Sequence, residues 1–249
     1  MKCVVLAAGY ATRMYPLTID TPKPLLKIGE KTILNHLLDD IDQIDDIYEH
    51  IIISNHLFYN KFKEWEKKQS YKKPLTILDD GTTSNEGRLG AVKDLQFAIE
   101  KLNINEDILV VAGDNFVNFS FSKFIDFYKE KNSSCIMYYE ENDIEVLKKC
   151  GVAIINSDNI VTEMEEKPQN PKTNLAVLPF YIYKSGDLHY IKESIDEGFP
   201  HDAPGYFVSY LCKMTKVYAF KMPGKNYDVG DLDSYLRIQK EFSQIKTIT

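Results

Sequence analysis

Arg13 and Lys23 stand in one stretch, LAAGYATRMYPLTIDTPKPLL, which runs from Leu6 to Leu26. Small residues before Arg13 let backbone N–H groups approach an anion closely. The two cations lie beside that loop, and Pro22 and Pro24 fix φ on either side of Lys23. This order suits a phosphate cradle at the end of a first strand. It is not the GxxxxGK[ST] loop, and GxGxxG is absent, so a dinucleotide fold is unsupported. The plain alternative is a tight turn with solvated charges. Arginine is rare in the chain, at Arg13, Arg88 and Arg237, and two of these fall in glycine-bearing loops. The fixed guanidinium fork grips phosphate in a way that lysine does not.

Carboxylates form the second candidate set. Asp114 follows an apolar run in VVAGDN, and a hard carboxylate is what Mg²⁺ prefers. Taken alone, GDN would also cap a turn. EEKP (Glu165–Pro168) reads alone as an acidic hairpin edge with a solvated lysine, and YDVGD reads as a turn. The five histidines show no HxxxH or HExxH spacing, which speaks against zinc. Cys3, Cys135, Cys150 and Cys212 lack CxxC spacing, as expected of inert thiols in a cytoplasmic protein.

Alternating elements must position these groups. Apolar runs at Lys2–Ala7, His50–Ser54, Leu75–Asp79 and Asp107–Gly113 predict strands. Helical spacing at Thr32–Ile44, Phe58–Lys68 and Ala91–Leu102 predicts helices between them. Continuous Val/Ile/Leu strands with amphipathic helices imply a parallel sheet covered on both faces. After about residue 132 the pattern changes to antiparallel strands, with NSDN (Asn156–Asn159) as a turn. Asp231–Phe242 predicts a capped helix. The fold expected is α/β, a Rossmann-like, doubly wound, mostly parallel sheet with inserted antiparallel strands. We read 1–249 as one domain, with a nucleotide-binding half over about 1–131 and an acceptor-binding half over about 132–249. The 249 residues carry a net charge of −7, which argues against nucleic acid or anionic membrane as partner. The opening MKCVVLAAG is too short an apolar run for a signal peptide and reads as a buried strand.

The Leu6–Leu26 stretch resembles the signature LAAGxGTRLxPLTxxxPKPLL of the nucleotidyltransferases that make nucleotide sugars, the pyrophosphorylases. The resemblance continues, in order, through EGRLGAV (Glu86–Val92), VVAGDN (Val110–Asn115), CGVAIIN (Cys150–Asn156), EEKP and YDVGDLDSYL (Tyr227–Leu236). It implies transfer of a nucleotidyl group from an NTP to a phosphorylated acceptor, with release of pyrophosphate. Positioning and charge neutralisation would carry that reaction. It further implies Arg13 and Lys23 as catalytic groups, and Leu6, Ala8, Gly9, Tyr10, Ala11, Thr12, Gly87 and Asp114 as nucleotide contacts. Asn115, Gly151, Glu166 and Lys167 would contact the acceptor. Asp114 and Asp228 would hold Mg²⁺. Homo-oligomers are common in the family.

Three departures stand out. Ala11 replaces the usual glycine, which is tolerable at a negative φ. Leu178-Pro179 replaces a small pair, often Thr-Gly, which is expected to narrow the acceptor pocket and remove a donor. FPHDAPGYFVSYL (Phe199–Leu211) departs from GELEITD. The nucleotide side is kept and the acceptor side altered. A cytidylyltransferase acting on phosphocholine or a phosphorylated amide is therefore an alternative to a pyrimidine nucleotide-sugar enzyme. A non-catalytic nucleotide-sugar-binding subunit is disfavoured by the retained cations and carboxylates.

Overall fold

Buried aliphatic runs closed by small or polar residues set the strands. The computed structural model describes residues 1–246. β1 (Lys2–Leu6) leads through the signature loop to a two-residue ladder, β2 (Lys27–Ile28) and β3 (Lys31–Thr32). α1 (Ile33–Ile41) follows, capped by Thr32, whose Oγ1 accepts from Asn35 N at 3.0 Å. Its buried stripe is Ile33, Leu34, Leu37, Leu38 and Ile41. It ends three residues before the predicted Ile44, and the carboxylate of the next residue, Asp42, is committed to His50 and the amides of Lys72 and Lys73. β4 (Glu49–Ser54), α2 (His56–Glu66) and β5 (Leu75–Asp79) come next. α3 (Ala91–Leu102) and β6 (Ile108–Ala112) precede β7 (Asn115–Val117) and α4 (Ser122–Lys131).

Beyond α4 the strands pair antiparallel, as expected, except the last strand of the sheet, which runs parallel to its neighbour. β8 (Cys135–Glu140), α5 (Ile144–Leu147), β9 (Gly151–Ile155), β10 (Val161–Glu166) and β11 (Leu175–Tyr183) follow one another. α6 (His189–Asp196), α7 (Gly205–Met214), β12 (Tyr218–Lys221), β13 (Asn226–Asp228) and α8 (Leu232–Lys246) close the described chain. The chain thus has the α/β fold expected, with a mostly parallel central sheet and added antiparallel strands. No helix among the described residues is long and apolar enough to cross a membrane.

The residues fall into two compact units, and the chain passes between them more than once. Each unit is drawn from more than one stretch of the chain. One unit comprises Met1–Val4, Leu89–Val111 and Ser122–Pro223. Its strand order is β10-β9-β11-β6-β1, and β8 joins β11 to β12. β11 is antiparallel to β6, β8 and β9. Pro179 lies where the β11–β8 register shifts, between Leu178 and Tyr181, the kind of irregularity at which a strand tolerates proline.

The other unit comprises Val5–Arg88, Ala112–Phe121 and Gly224 onward. Its strand order is β1-β4-β5, with β4 and β5 parallel and Ile52 opposite Ile77. β7 and β13 form a separate antiparallel pair. An apolar cluster of Met14, Leu26, Ile28, Ile33, Phe116, Val229 and Ile238 bolts the signature loop to that pair.

Candidate active site

In the second unit the site begins where β1 ends. Gly113 N donates to Leu6 O at 2.9 Å, and a methyl group on Gly113 would meet Val5 Cγ1 at 2.8 Å. The missing side chain is what brings Asp114 beside the signature loop. Buried Asn55 steadies the loop from the other side. Its Nδ2 donates to Ala8 O at 2.9 Å, while its Oδ1 caps α2 through Phe58 N. A methyl on Gly9 would meet no protein atom within 4 Å, so that face of the loop is open. The Tyr10 hydroxyl pairs with Thr82 Oγ1 at 3.0 Å and ties the loop to the segment carrying Gly87.

Ala11 corrects one expectation. It sits at φ 47°, ψ 41°, in the left-handed region, and not at a negative φ. The short turn at Thr12–Met14 starts there, and Thr18 Oγ1 donates to Ala11 O at 2.8 Å to hold it. The family's usual glycine is therefore explained by the backbone.

Arg13 is exposed and has no hydrogen-bond or ion-pair partner among the described residues, yet its charge acts on Asp114. Lys23 is buried between its two prolines, and its Nζ donates to Asp114 Oδ2 at 2.7 Å. Burial pushes the Asp114 carboxyl up, but the Lys23 ammonium and then Arg13 outweigh it and hold the group below the usual carboxylate range. Asn115 Nδ2 donates to Asp114 Oδ1 at 3.0 Å, and Asn115 Oδ1 accepts from Asn226 Nδ2 at 3.1 Å. The amide predicted to contact an acceptor thus braces the carboxylate and the neighbouring strand. β13 pairs with β7 so that Asp228 lies opposite Asn115, one residue from Asp114. Gly87 N donates to Ser84 O at 3.2 Å, and Arg88 Nη1 donates to Asn85 O at 2.8 Å. Arg88 therefore braces its own loop.

This donor set fits a Mg²⁺ that arrives with phosphates. Such an ion needs only one or two carboxylates and takes its other ligands from phosphate and water. The Asp114 carboxyl is held below the usual carboxylate range, its side chain is 39% exposed, and the strand register places Asp228 opposite the next residue, Asn115. Among the described residues no group of three or more His, Cys, Asp or Glu side chains forms a metal cage.

The other unit holds the remaining predicted residues. Across β11, β9 and β10 the register aligns Val177 with Gly151 and Gly151 with Glu166. Leu178 follows Val177, so strand alternation turns it to the opposite face, where it is 3% exposed. Its side chain belongs to the buried core. Lys167 takes a left-handed φ of 52° and donates its N–H to Cys150 O at 3.0 Å, which turns the chain out of β10. Its Nζ lies 3.8 Å from Asp202 Oδ2, with both groups near half exposed. Burial pushes the Glu166 carboxyl up to about 7; Lys167 opposes this and Asp202 adds to it.

The 201–206 segment lies within Phe199–Leu211, the stretch that departs from the family pattern, and apolar periodicity assigned it no element. The carbonyls of Asp202 and His201 accept from Ala91 N and Val92 N, and Gly90, at φ 90°, lets that loop close on α3. Pro204 and Gly205 open α7, and their breaker character hides a helix start in the sequence.

The profile of the nucleotidyl transferase family matches residues 2–245. The chain belongs to this family. Family relatives include a glucose-1-phosphate adenylyltransferase of Clostridium novyi, 30% identical over 247 residues, covering 94% of this chain and 64% of the relative. A UTP–glucose-1-phosphate uridylyltransferase of Haloferax volcanii is 29% identical over 196 residues, covering 76% of this chain and 74% of its own. This chain spans less than two thirds of the length of several curated relatives, 64% in the first of these comparisons. Among solved structures, a Bacillus anthracis chain described as a glucose-1-phosphate thymidylyltransferase superposes with a TM-score of 0.82 at 24% identity, covering 97% and 95% of the two chains. A UDP-glucose pyrophosphorylase crystallised with UDP-glucose gives 0.80 at 20% identity, covering 98% of both. These two likenesses show the family's fold.

Proposed function

We propose that the chain transfers a nucleotidyl group from an NTP, a pyrimidine nucleotide by preference, to the phosphate of a sugar 1-phosphate and releases pyrophosphate. The observation that carries the reading is the second unit's charge arrangement. An open small-residue loop ends in Arg13, exposed and with no hydrogen-bond or ion-pair partner among the described residues, beside a Lys23–Asp114 pair fixed by prolines and by Asn115.

The chemistry asks for little more. An acceptor phosphate oxygen attacks the α-phosphorus, the bond to the pyrophosphate oxygen breaks, and the leaving group departs as an anion. The nucleophile is already ionised, so no side chain need remove a proton. Loop N–H groups and Arg13 stabilise charge on the β- and γ-phosphates, and Lys23 does so at the reacting phosphates. Asp114 and Asp228 would hold Mg²⁺, which when bound neutralises phosphate oxygens. In the other unit Lys167 serves the acceptor phosphate, and Glu166 and Gly151 meet its remaining groups. We place the reaction in the cytoplasm, where its nucleotide is found.

Two carboxylates, Glu166 and Asp202, stand with one lysine in that unit. This charge balance favours, as a second reading, an acceptor rich in N–H donors, with CTP as nucleotide. The test is pyrophosphate release with each NTP in turn, against sugar 1-phosphates and, separately, phosphocholine and phosphorylated amides. Signal with sugar 1-phosphates supports the first reading, and signal with only the other pool supports the second. No acceptor-dependent signal in either contradicts both.

A further inference from the structure

Glu166 lies in the first unit against two residues that lack side chains. A methyl on Gly205, at the start of α7, would overlap Glu166 Oε2, and would stand 3.0 Å from Glu166 Cδ and 2.8 Å from Met164 Cε. A methyl on Gly151, directly across the strand pair, would stand 3.0 Å from the same Oε2 and would overlap Met164 Cε. Gly205 has no positive φ, so its backbone would accept alanine. A side chain there would have to displace the Glu166 carboxyl from the space it occupies.

That carboxyl has no hydrogen-bond partner among the described residues, which leaves it available to a ligand. The titratable groups that act on it are Lys167 at the end of β10, Asp202 before α7, Tyr206 on α7 and Tyr181 on β11. Desolvation and Asp202 outweigh Lys167, in keeping with a group pressed into a glycine-floored recess.

We propose that Gly205 is a positioning residue for acceptor recognition: together with Gly151 it clears the recess that holds the Glu166 carboxyl where it meets the acceptor. The proposal rests on the acceptor reading given above. Glycine at 205 and glutamate at 166 form a size-matched pair, and the long side chain needs the empty position. A methyl at 205 pushes the carboxyl out of its recess toward solvent, and a shorter acid at 166 accommodates that methyl.

The test is a double-mutant cycle on the full chain, with Gly205→Ala, Glu166→Asp and the two combined. Gly205→Ala is expected to raise the acceptor KM about 10-fold or more, with the NTP KM unchanged. Adding Glu166→Asp to Gly205→Ala is expected to recover at least about 3-fold of that loss, although Glu166→Asp alone weakens acceptor binding. Losses that simply multiply, or an acceptor KM that Gly205→Ala leaves unchanged, overturn the proposal. A second readout needs no turnover. The Glu166 carboxyl, followed by ¹³C NMR, is expected to titrate near 7 in the wild type and lower in Gly205→Ala. An unchanged titration in a variant with wild-type circular dichroism also overturns it. If no acceptor supports turnover, the transferase reading fails separately, and the titration still decides the role of Gly205.

Discussion

At φ 47° Ala11 carries a cost that glycine would not. A left-handed alanine costs roughly 1–2 kcal/mol, and glycine's greater chain entropy returns roughly 0.5–1 kcal/mol of that. Ala11→Gly is therefore expected to stabilise the chain by about 0.5–1 kcal/mol, read from denaturant midpoints at constant slope. The chemical residues are argued on different ground. Arg13 is exposed and makes no hydrogen bond or ion pair among the described residues, so Arg13→Ala should leave the melting temperature nearly unchanged and cut turnover by about 10²-fold or more. Asp114→Asn leaves Lys23 without its carboxylate and should cost turnover by about the same factor, measured as pyrophosphate release. The chemistry-bearing side chains were legible in the sequence because their spacing within the signature is long and specific. The conformation of Ala11 was not, because nothing in the residue's type announces a positive φ.

Among the elements, β7 and β13 matter most to the site. Asn115 on β7 spends its amide on Asp114 and Asn226, so it orients the carboxylate from behind. Asn115→Ala is expected to lower activity roughly 10–100-fold, with the loss partly recovered at high Mg²⁺, as for groups that orient metal ligands. A loss seen only in the acceptor KM would assign Asn115 to the acceptor after all. The strands and helices of the first hundred residues were readable, with Leu75–Asp79 and Ala91–Leu102 falling at the predicted bounds. Their apolar runs are continuous and their breakers stand between them. α7 was not readable, because Pro204 and Gly205 resemble a loop while serving as a helix start. The burial of Leu178 was not legible, because the sequence shows the residue but not the register that turns it inward.

At the scale of the molecule, acid stability has a definite sign. His50 is fully buried, its Nε2 lies 3.1 Å from Asp42 Oδ1, and its Nδ1 has no hydrogen-bond partner among the described residues. Burial holds its pKa below the ordinary value despite Asp42. A histidine lowered on folding binds its proton more readily when unfolded, so stability is full above about pH 6.5 and falls as the pH drops below it. Asp42 is also held low: burial pushes it up, but its hydrogen bonds to Lys72, His50 and Lys73 prevail, and its contribution is lost at still lower pH. The melting temperature should therefore fall from about pH 7 to about pH 5, and His50→Phe should flatten the upper part of that fall. A melting temperature that rises on acidification would contradict this account of the buried pair. Which segments make up each compact unit was not legible in the sequence, since apolar periodicity reports which face is buried and not which segments pack together. The central claim remains nucleotidyl transfer, and the most direct measurement follows the atom that moves. NTP labelled at the α-phosphate is incubated with Mg²⁺ and a sugar 1-phosphate, with wild type and Asp114→Asn side by side. The account predicts that the label appears in an acceptor-linked diphosphate in step with pyrophosphate, and that Asp114→Asn makes at least about 10²-fold less. Label found only in free NMP or NDP, or formed equally by Asp114→Asn, would contradict it.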